Sequence, residues 1–198
     1  MKPYWKRAAS YAQLDLDRSQ SDLLEQYGKW LATEGHRSGA IGPAEIGRID
    51  RRHLADSLLF AIGLPRDCRE IWDLGSGAGL PGIPLAIAIP ETQFTLVDRS
   101  GRRIDLLRRV IRVLGLQNCQ PLRGDINDLE GPVEAIVSRA SMPAEQLGGI
   151  VTRHLSPGGV AVTGGSWRER PEVRGWDTVE IPEDVLDQTV WLLIMRRE

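Results

Sequence analysis

The stretch that decides the fold is IWDLGSGAG, residues Ile71–Gly79. It has the pattern of a buried strand that ends at an acid, Asp73, and continues into a turn with a glycine at every second position. Glycine permits a tight turn here and lets backbone N–H groups approach a ligand. An apolar helical segment follows at Pro81–Ile89. This succession of strand, turn and helix predicts a nucleotide-type cofactor site at the carboxyl edge of a parallel sheet.

Two acids bear on which cofactor binds there. The segment Gly77–Gly82 also satisfies the dinucleotide pattern G-x-G-x-x-G, but Asp73 would then face a pyrophosphate, whereas in S-adenosylmethionine it would face a cation. Asp98 ends the next apolar run, where an acid can accept hydrogen bonds from both ribose hydroxyls of either cofactor. We therefore expect S-adenosylmethionine, with its amino group held by Asp73 and its carboxylate bound by the N–H groups of the turn. A dinucleotide and a purely structural turn are the alternatives.

Beyond residue 65 the chain alternates between strand and helix patterns. Helices are predicted at Pro81–Ile89, Arg102–Leu114 and Ala144–Leu155, the last two ending at Gly115 and at Gly158-Gly159. A short loop joins the last two strands, so they should pair antiparallel. The fold class is therefore α/β: a class I methyltransferase, Rossmann-like seven-stranded sheet with the last strand antiparallel. The predicted strands are Glu70–Leu74, Gln93–Asp98, Gln120–Arg123, Val133–Ser138, Gly159–Thr163, Trp176–Ile181 and Val190–Arg196.

The segment before the sheet has helical periodicity. Ser19 or Ser21 is predicted to cap a helix that runs to Leu31, and a second helical run extends from Ile46 to Leu59 with one irregular step. We expect an N-terminal helical cap over residues 1–64 and an S-adenosylmethionine-binding domain over residues 65–198, together forming one compact unit.

The composition of the chain limits the classes of function and the locations that we expect. The chain has 198 residues, of which 41% are hydrophobic, and its net charge of -2 gives no global signature of nucleic-acid binding. Cys68 and Cys119 have neither metal-ligand nor disulfide spacing, so we expect no metal site and a reducing, cytoplasmic location. No apolar segment predicts a leader or a membrane span, so we expect a soluble, unprocessed protein with no membrane partner.

A local basic surface is nevertheless predicted on the helix Arg102–Leu114. Its apolar positions form one stripe and its arginines project elsewhere, either as a solvated face or as a surface for RNA phosphates. The segment Arg48–His53 adds a second basic cluster. The first cluster consists of Arg99, Arg102, Arg103, Arg108, Arg109 and Arg112.

The end of the fourth strand, Val137–Ala140, is where chemistry is expected. It lacks the Asn-Pro-Pro-Tyr type of motif that is used to methylate exocyclic base amines. Methylation of pyrimidine carbon-5 needs a cysteine nucleophile at this place, but Cys119 is predicted at the opposite edge of the sheet. A nitrogen with an in-plane lone pair and no proton to lose, such as guanine N7, needs only to be placed in line with the sulfonium methyl group, without a general base. We therefore predict no catalytic acid or base, and Arg139 is either a ligand contact or a strand-end ion pair.

Several motifs closely resemble RsmG (GidB), the bacterial small-subunit rRNA guanine-N7 methyltransferase family. They are His53–Leu58, Asp73–Ile87, Thr95–Asp98 and Ser138-Arg139-Ala140. The resemblance implies transfer from S-adenosylmethionine to N7 of a guanine in 16S rRNA, with small-subunit rRNA or the assembling 30S subunit as partner. We also expect a monomer. The resemblance also implies that Gly75 and Leu80 contact the cofactor, that Ile126 and Asn127 flank its adenine, and that Arg139 closes the pocket. The expected cofactor-binding set is Asp73, Gly75, Ser76, Gly77, Gly79, Leu80, Asp98, Ile126, Asn127 and Arg139.

The chain departs from that family's pattern at three places. Asp125-Ile126-Asn127 stands where the family has Arg-x-Glu, Thr163-Gly164 where it has Lys-Gly, and Ser38–Gly42 where it has Asn-Leu-Thr. Two alternatives therefore stay open: a small-molecule methyltransferase on the same fold, and a catalytically inactive ribosome-assembly module.

Overall fold

The computed structural model describes residues 3–164 and 169–198, and a seven-stranded sheet lies at its centre. Strands β1 to β5 run parallel to one another, and β7 runs antiparallel to both of its neighbours. The strand order is β3-β2-β1-β4-β5-β7-β6, which confirms the predicted sheet and its reversed last strand. The strands are β1 Glu70–Leu74, β2 Gln93–Asp98, β3 Cys119–Arg123, β4 Val133–Ser138, β5 Leu155–Gly164, β6 Asp177–Ile181 and β7 Val190–Arg196.

Alternating strand residues build two apolar layers, one on each face of the sheet. On β1, Ile71 belongs to the layer with the N-terminal helices, whereas Trp72 belongs to the opposite layer. The α-helices are α1 Tyr4–Tyr11, α2 Arg18–Trp30, α3 Asp56–Leu59, α4 Gly82–Ala88, α5 Gly101–Leu114, α6 Ala144–His154 and α7 Glu183–Leu186. Helices α1 to α5 contribute to the first layer and α6 to the second, so the N-terminal segment packs on the same face as α4 and α5. The division of the chain at residue 64 stays a prediction.

The N-terminal cap of α2 differs from the prediction. Asp17, not Ser19 or Ser21, is the capping residue: its Oδ1 accepts a hydrogen bond from the Gln20 N–H (2.7 Å), and the Gln20 side chain accepts one from the Asp17 N–H (2.9 Å). This reciprocal pair satisfies two N–H groups at the helix start, whereas a serine cap further along would satisfy fewer. Helix α1 was not predicted.

The irregular step between Ile49 and Leu54 has a structural cause. The backbone forms wide π-helical turns over Ile49–Ala55, in which side chains five positions apart share a face. The predicted helical run is present, and it consists of a 3₁₀ turn at Pro43–Arg48, these π-helical turns and the short α3. Ile46 at its start is 38% exposed. Gly158 and Gly159 do not end α6, because β5 begins directly after His154, but Gly115 ends α5 with φ 68° as predicted.

Candidate active site

The turn after β1 requires its glycines. Gly75, Gly77 and Gly79 have φ values of 73°, 59° and 99°, in the left-handed region that favours glycine. A Cβ on Gly75 would lie 2.6 Å from the Cβ of Ser141, so the turn also lies too close to its neighbour for any side chain. On the inner side, the buried Tyr27 hydroxyl donates to the Ala78 carbonyl (2.8 Å) and anchors the turn to α2.

Asp98 lies across the same turn at the end of β2. Its Oδ2 accepts a hydrogen bond from the Gly77 N–H (3.0 Å) and its Oδ1 accepts one from the Ser100 N–H (2.8 Å). Each oxygen keeps a lone pair, so the carboxylate is oriented by the backbone and can still accept from a ligand. Asp98 lines a cavity at the carboxyl ends of β1 to β3, together with Gly75 and the buried Ile126. The structure thus brings together three of the predicted cofactor residues.

Asp73 has a different setting from Asp98. It is fully buried, and its Oδ2 accepts a hydrogen bond from the Gly82 N–H (3.0 Å) at the start of α4. Burial raises its pKa to about 6. Its Oδ1 has no hydrogen-bond partner among the described residues. Asp73 therefore lies behind the turn, and its predicted contact with the cofactor's amino group stays a prediction.

The backbone donors of the turn are largely used within the protein. The N–H groups of Gly75 and Ser76 donate to the Val97 carbonyl (2.9 and 3.1 Å), and those of Gly79 and Leu80 donate to the Ser76 carbonyl (2.7 and 3.0 Å). A carboxylate cradled by these amides, as predicted, would have to share them. What Gly75 contributes is the close approach of Ser141, from the segment after β4, to the turn.

Asn127 does not line this cavity as Ile126 does. Its backbone N–H and its side-chain amide both donate to Asp125 Oδ1 (3.0 and 2.7 Å), and these bonds hold the pKa of Asp125 below its usual value. Asp125 itself lines the cavity, as do Ser141 and Met142 from the segment after β4. These three were not predicted. The rule that ligands bind at the carboxyl ends of parallel strands could have identified Asp125, which follows β3.

Arg139 lies beside a second cavity and is held by the N-terminal segment. Its Nη1 donates to the Arg52 carbonyl (2.9 Å) and to Asp56 Oδ2 (3.2 Å), and its Nη2 donates to His53 Nδ1 (3.2 Å). Because a guanidinium can only donate, His53 Nδ1 is the acceptor and the imidazole proton is on Nε2. Burial and the charge of Arg139 lower the pKa of His53 to about 4, so the imidazole is neutral at pH 7.

The two cavities meet at one short segment after β4. Arg139 and Ala140 line the second cavity, and Ser141 and Met142 line the cavity that contains Asp98. Ala140 has φ 54°, a left-handed turn that directs the chain from one cavity to the other. Residues 139–142 therefore contribute to the walls of both cavities. The sequence left open whether Arg139 forms an ion pair or contacts a ligand. The two roles are compatible, because the ion pair with Asp56 fixes the guanidinium at the wall of the second cavity.

The predicted basic surface is partly engaged in contacts within the protein. Arg103 donates to the Gly39 carbonyl (3.2 Å), and Arg109 lies 3.9 Å from Glu34. Arg102 and Arg112 are exposed.

Within residues 3–164 and 169–198, no cluster of three or more histidine, cysteine or acidic side chains is placed to hold a metal ion. No helix in the same ranges is long and apolar enough to cross a membrane.

Comparison with solved structures supports the fold. A mutant of MtNAS in complex with S-adenosylmethionine superposes with a TM-score of 0.59 at 16% identity, over 89% of this chain and 73% of that chain. TYW2 from M. jannaschii in complex with AdoMet superposes with a TM-score of 0.53 at 14% identity, over 73% of this chain and 74% of that chain.

Sequence comparison identifies the family. "Ribosomal RNA small subunit methyltransferase G" from Acidothermus cellulolyticus is 39% identical over 83% of this chain and 71% of its own length. The protein of that name from Chlorobium limicola is 35% identical over 81% of this chain and 74% of its own length. The GidB family model, described as rRNA small subunit methyltransferase G, matches residues 20–188, well beyond the predicted region of resemblance. The chain therefore belongs to the rRNA small subunit methyltransferase G family.

Proposed function

We propose that this protein transfers the methyl group of S-adenosylmethionine to N7 of a guanine in 16S rRNA of the small ribosomal subunit. The observation that carries the proposal is the meeting of two family motifs: Arg139 after β4 is hydrogen-bonded to His53 and Asp56 of the N-terminal segment. Both motifs line the second cavity, and Ser141 and Met142, which follow Arg139 closely in the chain, line the cavity that contains Asp98.

The first cavity fits the cofactor by its chemistry. Asp98 offers an oriented carboxylate to the ribose hydroxyls and Ile126 offers an apolar wall to the adenine. Gly75 lets Ser141 lie against the turn, so that both residues line the cavity. The unpartnered Asp73 Oδ1 behind the turn favours a cationic group nearby. When bound, S-adenosylmethionine supplies an electrophilic methyl group on a sulfonium.

The residues of the chain bind and orient the reactants. Guanine N7 carries an in-plane lone pair and no proton, so its methylation moves no proton to or from the protein. Arg139 is fixed by Asp56 and by neutral His53, and it can contact the base or a nearby phosphate without being reoriented. The proposal therefore contains no catalytic acid or base.

The partner side of the proposal follows from charge. The second cavity is lined by Arg51, Arg52 and Arg139 as well as by apolar residues such as Leu186 and Val190. Three cations at one cavity favour RNA over a small apolar substrate. We place the protein in the cytoplasm as a monomer that acts on small-subunit rRNA or the assembling 30S subunit, with the arginines of α5 contacting phosphates.

Mass spectrometry of 16S rRNA from a strain lacking the gene tests this proposal. One 7-methylguanosine should be lost, and it should return with a plasmid copy of the wild-type gene but not with the Asp98→Ala variant. Unchanged rRNA in the deletion strain would contradict the RNA substrate.

A further inference from the structure

The second cavity combines groups that suit one face of a purine. Its volume is about 320 Å³, within the range of ~300–1,000 Å³ that is typical of small-molecule pockets. Glu45 and Arg139 both line it, and the neutral imidazole of His53 lies between them. The indole of Trp191 adds an aromatic surface, against which a flat base can stack.

The carboxylate of Glu45 lies beside two arginines and the neutral His53, and none of them is within the usual hydrogen-bond distance. It lies 3.5 Å from Arg48, 3.6 Å from Arg52 and 3.5 Å from His53 Nε2. All three distances exceed those of an N–H···O hydrogen bond. Among the described residues, no side chain or backbone group donates a hydrogen bond to this carboxylate. Glu45 thus lines the cavity beside two cations, Arg48 and Arg52, while its lone pairs stay available to a ligand.

We infer that Glu45 recognises the acceptor guanine by accepting hydrogen bonds from its N1–H and its exocyclic 2-amino group. This inference rests on the proposed function and names the residue that makes the site specific for guanine. Two adjacent N–H donors match the two oxygens of a carboxylate, whereas adenine presents a lone pair at N1 and would be repelled. N7 lies on the opposite edge of the base, so a guanine held at Glu45 directs N7 away from Glu45.

The same contact strengthens during the reaction. Methylation at N7 places a positive charge on the base, which makes N1–H a stronger donor to the Glu45 carboxylate. A hydrogen bond that is stronger in the transition state than in the ground state raises kcat. Loss of the carboxylate should therefore lower kcat as well as raise KM.

The test replaces the 2-amino group of the base and the carboxylate separately. First, the guanosine that the wild-type protein methylates is mapped, and the RNA is rebuilt by ligation with inosine, which lacks the 2-amino group, at that position. We expect the wild-type protein to methylate the guanosine RNA with a kcat/KM at least about tenfold higher than the inosine RNA, because a hydrogen bond to a charged group is lost. In Glu45→Gln this ratio should fall to about twofold or less, with S-adenosylmethionine affinity unchanged.

Glu34→Gln is the matched control. Glu34 also pairs with arginines, and its side chain is 32% exposed compared with 27% for Glu45, but it lies outside the cavity. Its variant should keep the wild-type preference for guanosine over inosine. Glu45→Asp, which keeps the charge, should retain part of that preference. It replaces Glu45→Gln as the test variant if Glu45→Gln does not fold.

The outcomes separate the inference from the proposed function. Equal methylation of inosine and guanosine RNA by the wild-type protein would overturn the role of Glu45 without any variant. An unchanged preference in folded Glu45→Gln would do the same. Failure of the wild-type protein to methylate any guanosine at N7 would instead overturn the proposed function on which the inference rests.

Discussion

Arg139 donates a hydrogen bond to Asp56 across 3.2 Å, although the two residues belong to motifs at opposite ends of the resemblance to the family. The contact joins the N-terminal segment to the carboxyl end of β4, where the two cavities meet. The N-terminal segment therefore builds part of the site itself, in addition to packing on the sheet.

Asp98→Ala should weaken S-adenosylmethionine binding by about 1.5–3 kcal/mol, or roughly 10–150-fold in Kd, because hydrogen bonds to a charged acceptor are lost. Isothermal titration calorimetry measures the change. Asp105→Ala is the matched control, since Asp105 is exposed on α5 and pairs only with Arg108 at 3.1 Å among the described residues. Equal affinities for the wild-type protein and Asp98→Ala would remove Asp98 from the cofactor site.

Asp73→Asn should separate stability from cofactor binding. Because burial raises the pKa of Asp73 to about 6, the folded state prefers its protonated form, and this contribution to stability is lost as the pH rises through 6. The neutral amide should therefore stabilise the apo protein at pH 7 by about 1–3 kcal/mol, measured by urea unfolding. Its affinity for S-adenosylmethionine should fall if Asp73 Oδ1 faces the amino group. A less stable variant at pH 7 would mean that the fold requires the charge.

His53 should destabilise the protein in acid. Its folded-state pKa is about 4, below the ordinary value of 6.5, so the unfolded chain binds more protons in this interval and stability falls as the pH decreases through it. The loss is up to about 3 kcal/mol. Comparing wild type with His53→Asn, which does not titrate, between pH 7 and 4 isolates this effect, and an NMR titration of the imidazole gives the pKa directly. A measured pKa of 6.5 or above would contradict the burial of neutral His53 against Arg139.

The basic surface on α5 predicts a change in salt dependence. Replacing Arg103, Arg109 and Arg112 by alanine should weaken RNA binding and reduce the salt slope by up to about three counterions, with cofactor affinity intact. A control triple variant of Arg66, Arg174 and Arg196 removes the same charge at the amino edge of the sheet, away from the site. If both triple variants had the wild-type slope, the α5 arginines would be a solvated surface.

The sequence was most informative where local pattern alone determines structure. The alternation of strands and helices predicted the parallel strands and the reversed β7. The position of Asp98 followed from the rule for parallel sheets, and that of Ile126 from the resemblance to the family. The capping residue of α2 was missed because Asp17 competes with nearby serines for the same N–H groups. The irregular step at Ile49–Leu54 was visible, but its cause was not, because π-helical turns have no distinct residue signature.

The long-range contacts could not be predicted. No local pattern shows that Arg139 is bonded to His53 and Asp56, because this depends on how the N-terminal segment packs at the sheet edge. The burial of Asp73 likewise depends on α4, because Asp73 accepts a hydrogen bond from the Gly82 N–H at the start of that helix. For this reason the sequence indicated a pocket closed by Arg139, whereas the structure places Arg139 at the boundary between two cavities.

Identification of the methylated atom tests the central claim most directly. Small-subunit rRNA is incubated with the protein and S-adenosylmethionine carrying an isotopically labelled methyl group, then digested to nucleosides and analysed by mass spectrometry. We predict label in 7-methylguanosine from one position, and none with Asp98→Ala. Label on a base carbon, an exocyclic amine, a ribose hydroxyl or a small molecule would contradict the account.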